Sequence, residues 1–286
     1  MTRLPRNIDR WLFEQYRTDP ERLALYRILF GCYLLLVFLP TGLWIRNLPA
    51  ASFSPPVSLA ALFTRYPPYW VIVLLNAATL FCVSSLIIGW HTAASSLGVA
   101  AGLVIVESFA FADGKIDNTI LAAAVPLALA FSGWGAAFSV DAERSDSEGR
   151  RFSAHQPWLL ATLALVIGFS LLTAGMAKVR GGWLRADALG TRWNVIPNYY
   201  IVGREVPLAF WAMRTLPPWI WKSMDYAVVA WETGTVLTVP SRTLFRLACS
   251  FGALFHLGVW QLFGIRFEQN DIAYAAFVSC ASPCPP

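Results

Sequence analysis

Residues 157–178 read PWLLATLALVIGFSLLTAGMAK, a run of 21 uncharged residues that ends on a lysine. Wound as an α-helix, the uncharged part is about 31 Å long, which matches the hydrocarbon thickness of a bilayer. Further apolar stretches at 23–45, 69–90, 92–112, 119–138, 217–239 and 243–265 bring the predicted number of crossings to seven. The expected fold class is therefore all-α, a polytopic membrane bundle of about seven transmembrane helices plus an N-terminal interfacial helix.

Composition points the same way. With 57% hydrophobic and 14% charged residues and a mean hydropathy of +0.53, the chain has too little polar surface for a water-soluble globule. Its net charge of +5 would suit nucleic acid, but the basic residues are scattered between apolar runs and form no dense stripe. The expected partner is the lipid bilayer, not nucleic acid. Three of the five cysteines, Cys32, Cys82 and Cys249, lie in apolar runs and read as small hydrophobes. Cys280 and Cys284 invite a short disulfide loop, although the prolines around them predict strain, and no metal-ligand spacing accompanies them.

Residues 1–22 carry five arginines and lack the apolar core and cleavage site of a signal peptide. Trp11, Leu12, Phe13 and Tyr16 predict a helix lying in the cytoplasmic headgroup layer, ahead of a single transmembrane domain over residues 23–286. Asp19-Pro20-Glu21 supplies a cap, a first-turn proline and a first-turn carboxylate for the first crossing. Residues 53–68 read as interfacial or re-entrant, and 143–157 (ERSDSEGRRFSAHQP) as a mobile polar loop. Residues 272–282 are too short to cross alone.

The basic N-terminus predicts a multi-pass protein of the inner (plasma) membrane with its N-terminus in the cytoplasm. Seven alternating crossings then leave Arg144, Arg150, Arg151, Arg242 and Arg246 inside. The connection 178–214, with six basic residues, falls outside and breaks the rule. Either one crossing is miscounted or that loop's charges have a function there.

Ionisable groups at membrane depth cost about 2.5 to 3.5 kcal/mol each unless paired, hydrated or interfacial. Arg27 is close enough to a helix end to snorkel or meet a carboxylate. Lys222 and Asp225, three apart, pair on one helix face. Glu107 and Glu232 sit among apolar residues and require protonation, a cation or a polar cavity. His256 in ALFHLGVW reads first as a packing residue and second as a catalyst. Lys178 is either a snorkelling cation or a poorly hydrated base.

Three segments, DPERLALYRILFG, TAGMAKVRGGW and GALFHLGVWQLFGIRF, resemble in that order three signatures of the HTTM family, the membrane domain shared with vitamin K-dependent gamma-carboxylases. The resemblance spans nearly the whole chain and is most specific over Ala174–Lys178 with Trp183. It implies that Lys178 is the base that deprotonates a quinone-type cofactor in its hydroquinone form, in a site open to the external side. The family's histidine beside this base is replaced by Asn118, which cannot take up a proton, and its glycine after the tryptophan by Ala186. A chain ending at residue 286 lacks the large extramembranous domain of the carboxylases, so protein gamma-carboxylation is not expected. The expected pocket holds a quinone-like or lipidic ligand, with Lys178, His256 and Asn118 in catalytic roles and Trp183, Asp117, Glu232, Arg180 and Arg185 as ligand-binding residues. The competing classes are a non-catalytic accessory factor for export or maturation of a secreted peptide partner and a transporter, the latter unsupported by any internal repeat.

Overall fold

The computed structural model describes residues 14–38, 43, 45, 47–113, 119–147, 156–201, 203 and 206–278. These contain eleven α-helices and no strand: α1 Pro20–Tyr33, α2 Tyr69–Ile88, α3 Thr92–Ala110, α4 Ile120–Leu129, α5 Val140–Ser147, α6 Pro157–Arg180, α7 Gly190–Tyr200, α8 Pro207–Thr215, α9 Pro218–Thr238, α10 Arg242–Phe263 and α11 Glu268–Val278. Four of them, α2, α3, α6 and α10, are long and apolar enough to cross a membrane.

The other three predicted crossings differ for physical reasons. Helix α9 has 21 residues, a spanning length, but carries Lys222, Asp225 and Glu232. The first stretch is a 14-residue helix continued by a π-helical turn over Leu34–Phe38. The stretch 119–138 is helical only to Leu129, and the chain beyond Ala130 turns through Gly133, which has a positive φ. Asp19 does occupy the N-cap of α1, yet its carboxylate makes no cap hydrogen bond and pairs instead with Arg22 at 3.3 Å.

The chain divides into two compact units, residues 1–163 with 275–286, and residues 164–274. In the first, α3 packs between α2 and α4. Arg27 on α1 is fully buried and does not snorkel; the Asp141 carboxylate acts on it electrostatically, but its direct partners are carbonyls. Its guanidinium donates to the carbonyls of Trp134 at 2.9 Å and Phe138 at 2.5 Å, with longer bonds to Ala137 and Ile87. It therefore closes the turn after α4 and the last turn of α2, where helix carbonyls lack intrahelical donors. Glu107 accepts a hydrogen bond from the Thr119 hydroxyl at 2.5 Å.

Part of the segment predicted as a polar loop is ordered as α5, and Asp141 explains why. Its carboxylate accepts from the amides of His91 and Thr92 and from the Thr92 hydroxyl at 2.7–2.9 Å, capping α3 from a distant part of the chain. Burial pushes this carboxyl up, but those hydrogen bonds outweigh it and hold it below the usual carboxylate range. Residues 53–68 contain one short 3₁₀ turn, Leu59–Leu62, and follow another at Ala50–Ser52; Ala60 joins a cluster with Ile45, Ile72, Val106, Phe109 and Ala112. Most of the predicted N-terminal interfacial helix, and both Cys280 and Cys284, lie outside the described residues.

In the second unit, the connection 178–214 is not a loop. Helices α7 and α8 fill much of it and bury Val195, Ala209 and Ala212 against Trp221 of α9. Lys222 and Asp225, one turn apart on α9, secure its first half. Lys222 Nζ donates to the carbonyls of Trp183, Arg185 and Ala188, while Asp225 accepts from the amides of Gly190 and Thr191 and from the Thr191 hydroxyl. Their own ion pair is longer, at 3.7 Å. The cation thus binds the turn's carbonyls, and the anion caps the α7 N-terminus.

Candidate functional site

Helices α6 and α9 approach closely at Gly175, where an added Cβ would stand 2.7 Å from the Thr233 methyl and 3.0 Å from Glu232 Cβ. One turn further along α6 is Lys178, and across the same contact is Glu232. Lys178 Nζ lies 2.7 Å from both carboxylate oxygens of Glu232, whose side chain is 8% exposed against 25% for the lysine. Each apolar flank therefore conceals half of a charge pair, formed across 54 residues of sequence.

Trp183 completes this end of the unit. Its ring centroid is 5.5 Å from Lys178 Nζ, close enough for cation–π attraction. The other contact of the ring is Gly190, where any Cβ would be driven into the indole. Lys222 holds the Trp183 carbonyl and Asp225 holds the Gly190 amide, so the α9 clamp fixes both ends of the turn that carries the tryptophan.

A cavity of about 430 Å³ opens beside the pair. Its charged wall is Lys178 and Glu232 with Trp183. Its larger wall is apolar, formed by Met224 and Val228 of α9, Phe255, Val259, Leu262 and Phe263 of α10, and Phe267. Thr191, Asn194 and Asn198 of α7 supply a third, polar side. An apolar body with a few convergent polar groups is the composition of a small-molecule site, and 430 Å³ lies in the usual size range.

His256 is buried on α10 one residue from the cavity wall, but it does not line the cavity. Its imidazole is stacked between Phe267 and Tyr274, at 4.8 and 5.6 Å, and Nδ1 is 2.7 Å from Asp271. This arrangement ties α10 to α11 and occupies both faces of the ring. Arg180 is exposed, and Arg185 pairs with Asp187 at 2.9 Å in solvent, its hydrogen bond and then its charge holding that carboxyl below the usual range. Neither arginine lines the cavity. Asp117 and Asn118 lie outside the described residues.

Of the sequence-predicted site residues, the structure thus brings together Lys178, Glu232 and Trp183. Sequence reasoning missed Asn194 and Asn198. A helical polar stripe at positions 191, 194 and 198 is a signal in the sequence, but the segment reads as a loop. Among the described residues, no three His, Cys, Asp or Glu side chains are grouped to hold a metal ion. No family model, curated protein or solved structure matches the chain.

Proposed function

We propose that this chain is an HTTM-type membrane protein whose second unit binds a quinone-like or lipidic molecule at the Lys178–Glu232 pair. The observation that carries the reading is a 2.7 Å ion pair, one partner of it nearly buried, at the head of an otherwise apolar cavity. A packed bundle needs no such pair, since burying two charges costs several kcal/mol per ion before their attraction repays it.

The pair also supplies a route to a base. Transfer of a proton from the Lys178 ammonium to Glu232 along one hydrogen bond leaves an amine and a carboxylic acid, and the amine can then accept a proton from a bound hydroxyl group. This would serve the carboxylase- or epoxidase-related chemistry that the resemblance implies. His256 would contribute by positioning α10, on which four of the apolar wall residues stand.

In this reading the protein sits in the inner membrane with its N-terminus in the cytoplasm and the cavity open to the external side. Helices α7 to α9 expose Trp193, Trp211 and Trp219 by more than half of their surface, as residues at headgroup depth do. A cysteine replacing Arg192 is therefore expected to react with a membrane-impermeant maleimide added to intact cells. Reaction only after the cytoplasmic side is opened would overturn the orientation.

The cavity is tested through Gly258, which lines it and whose added Cβ would meet nothing within 4 Å. Gly258→Leu should extend its side chain into the open space around an added Cβ and gain about 1 kcal/mol from helix propensity. Mass spectrometry of organic extracts is expected to find a discrete hydrophobic compound with the wild-type protein and little of it with the variant, whose thermal stability stays equal or rises. Equal amounts in both would refute the pocket. Full function of the empty variant in export of a small secreted peptide would favour the accessory-factor reading.

A further inference from the structure

The charge balance of the cavity narrows what its head end can accept. Lys178 and Glu232 are the only ionisable side chains among its described lining residues, and both carboxylate oxygens lie on the ammonium. The lining is net neutral. A bound anion would meet a compensated dipole instead of a free cation, and would still lose its hydration. The arginines that could attract an anion, Arg180 and Arg185, are outside the cavity.

Hydrogen-bonding capacity is also limited. An ammonium has three N–H donors. Two serve Glu232, which leaves one for a ligand above the Trp183 ring. On the α7 side, Asn194 Nδ2 donates to the Gly190 carbonyl and Asn198 Nδ2 to the Asn194 carbonyl, each at 2.8 Å. These bonds fix both carboxamides against their own helix, one turn apart at the mouth. With one of its two amide hydrogens engaged, Asn194 offers the ligand its carboxamide oxygen, an acceptor, and its second N–H. The donor on Lys178 and the acceptor on α7 together match a group that both accepts and donates.

Resting on the pocket assigned above, we propose that Asn194 and Asn198 are the specificity determinants of this site, and that it selects an uncharged amphiphile with a hydroxyl head over an anionic or hydroxyl-free one. The hydroxyl accepts from Lys178 and donates to the Asn194 carboxamide, while Asn198 holds the neighbouring turn. The α10 wall takes the chain.

Three probes with the same eighteen-carbon chain separate the contributions: 1-oleoylglycerol carries hydroxyls, methyl oleate accepts only, and oleyl sulfate is an anion at every working pH. Their binding is read by native mass spectrometry of the purified full chain. The glycerol ester should bind at least tenfold more tightly than either of the others. Asn194→Leu with Asn198→Leu should lower it to the level of methyl oleate, whose own binding stays constant. Glu232→Gln, which uncovers the lysine, should raise oleyl sulfate binding at least tenfold. Equal binding of the three probes to the wild type, or no loss in the double asparagine variant, would overturn the proposal, and those two comparisons stand even if Glu232→Gln does not fold. Gly258→Leu distinguishes the two levels of failure. If it blocks all three probes while the wild type does not discriminate among them, only the head-group assignment falls. If it leaves binding intact, the pocket falls as well.

Discussion

Lys178→Met is expected to destabilise the folded protein by about 3 to 5 kcal/mol, because it leaves the Glu232 carboxylate enclosed without its cation. That carboxylate is 8% exposed and keeps no other hydrogen bond as short among the described contacts. Glu232→Leu alone should cost less, since the lysine is one quarter exposed and can turn its ammonium toward water. The double variant should return to within about 1 kcal/mol of the wild type, as apolar replacements of a buried pair commonly do. Equilibrium unfolding in mixed detergent micelles measures all four proteins of this cycle. Losses that simply add would show that the two residues do not interact in the folded state.

The second large effect is expected in the first unit. Arg27→Leu removes the donor for the buried carbonyl of Trp134 and the part-buried one of Phe138, at about 1 to 3 kcal/mol for each group left unsatisfied. A total loss of about 4 kcal/mol is expected. Arg27→Lys should recover less than half of it, because a single ammonium cannot present the guanidinium fork to carbonyls on both sides. Amide hydrogen exchange should accelerate over residues 132–139 in Arg27→Leu, where the turn loses its anchor. Exchange at the wild-type rate together with a loss below about 1 kcal/mol would assign the arginine no such role.

Arg27 also shows where a sequence stops being informative. Its partners are backbone carbonyls, which every residue carries, so no pattern of side chains announces them. The sequence instead suggests a carboxylate or the headgroups. The apolar runs were legible because a bilayer core imposes both length and composition on a helix, and α2, α3, α6 and α10 coincide with predicted crossings. Helix α9 has the length but not the composition, because three of its residues serve the α7 turn and the cavity. The stretch 119–138 has the composition but not the length, since the chain turns after Ala130.

The candidate site was partly legible for the same reason. Isolated charges in apolar surroundings need an explanation, and both Lys178 and Glu232 stood out on that ground. Their pairing was not legible, because it depends on two helices meeting at Gly175. His256 stood out equally, but its place between Phe267 and Tyr274 is set by tertiary packing. Asn194 and Asn198 gave the weakest signal. Their neighbours Arg192, Pro197 and Arg204 read as loop residues, and only the burial of Val195 against Trp221 makes that segment a helix with a cavity-facing side.

Photocrosslinking in native membranes distinguishes a specific amphipathic ligand in the second unit from bulk lipid. Benzoylphenylalanine replaces Phe255, an aromatic residue of the cavity wall, or Leu254, its exposed neighbour on α10. After irradiation the adducts are weighed by mass spectrometry. One discrete small-molecule mass is expected at position 255 and the membrane's phospholipid mixture at position 254. The same phospholipid mixture at both positions would rule out the proposed ligand site.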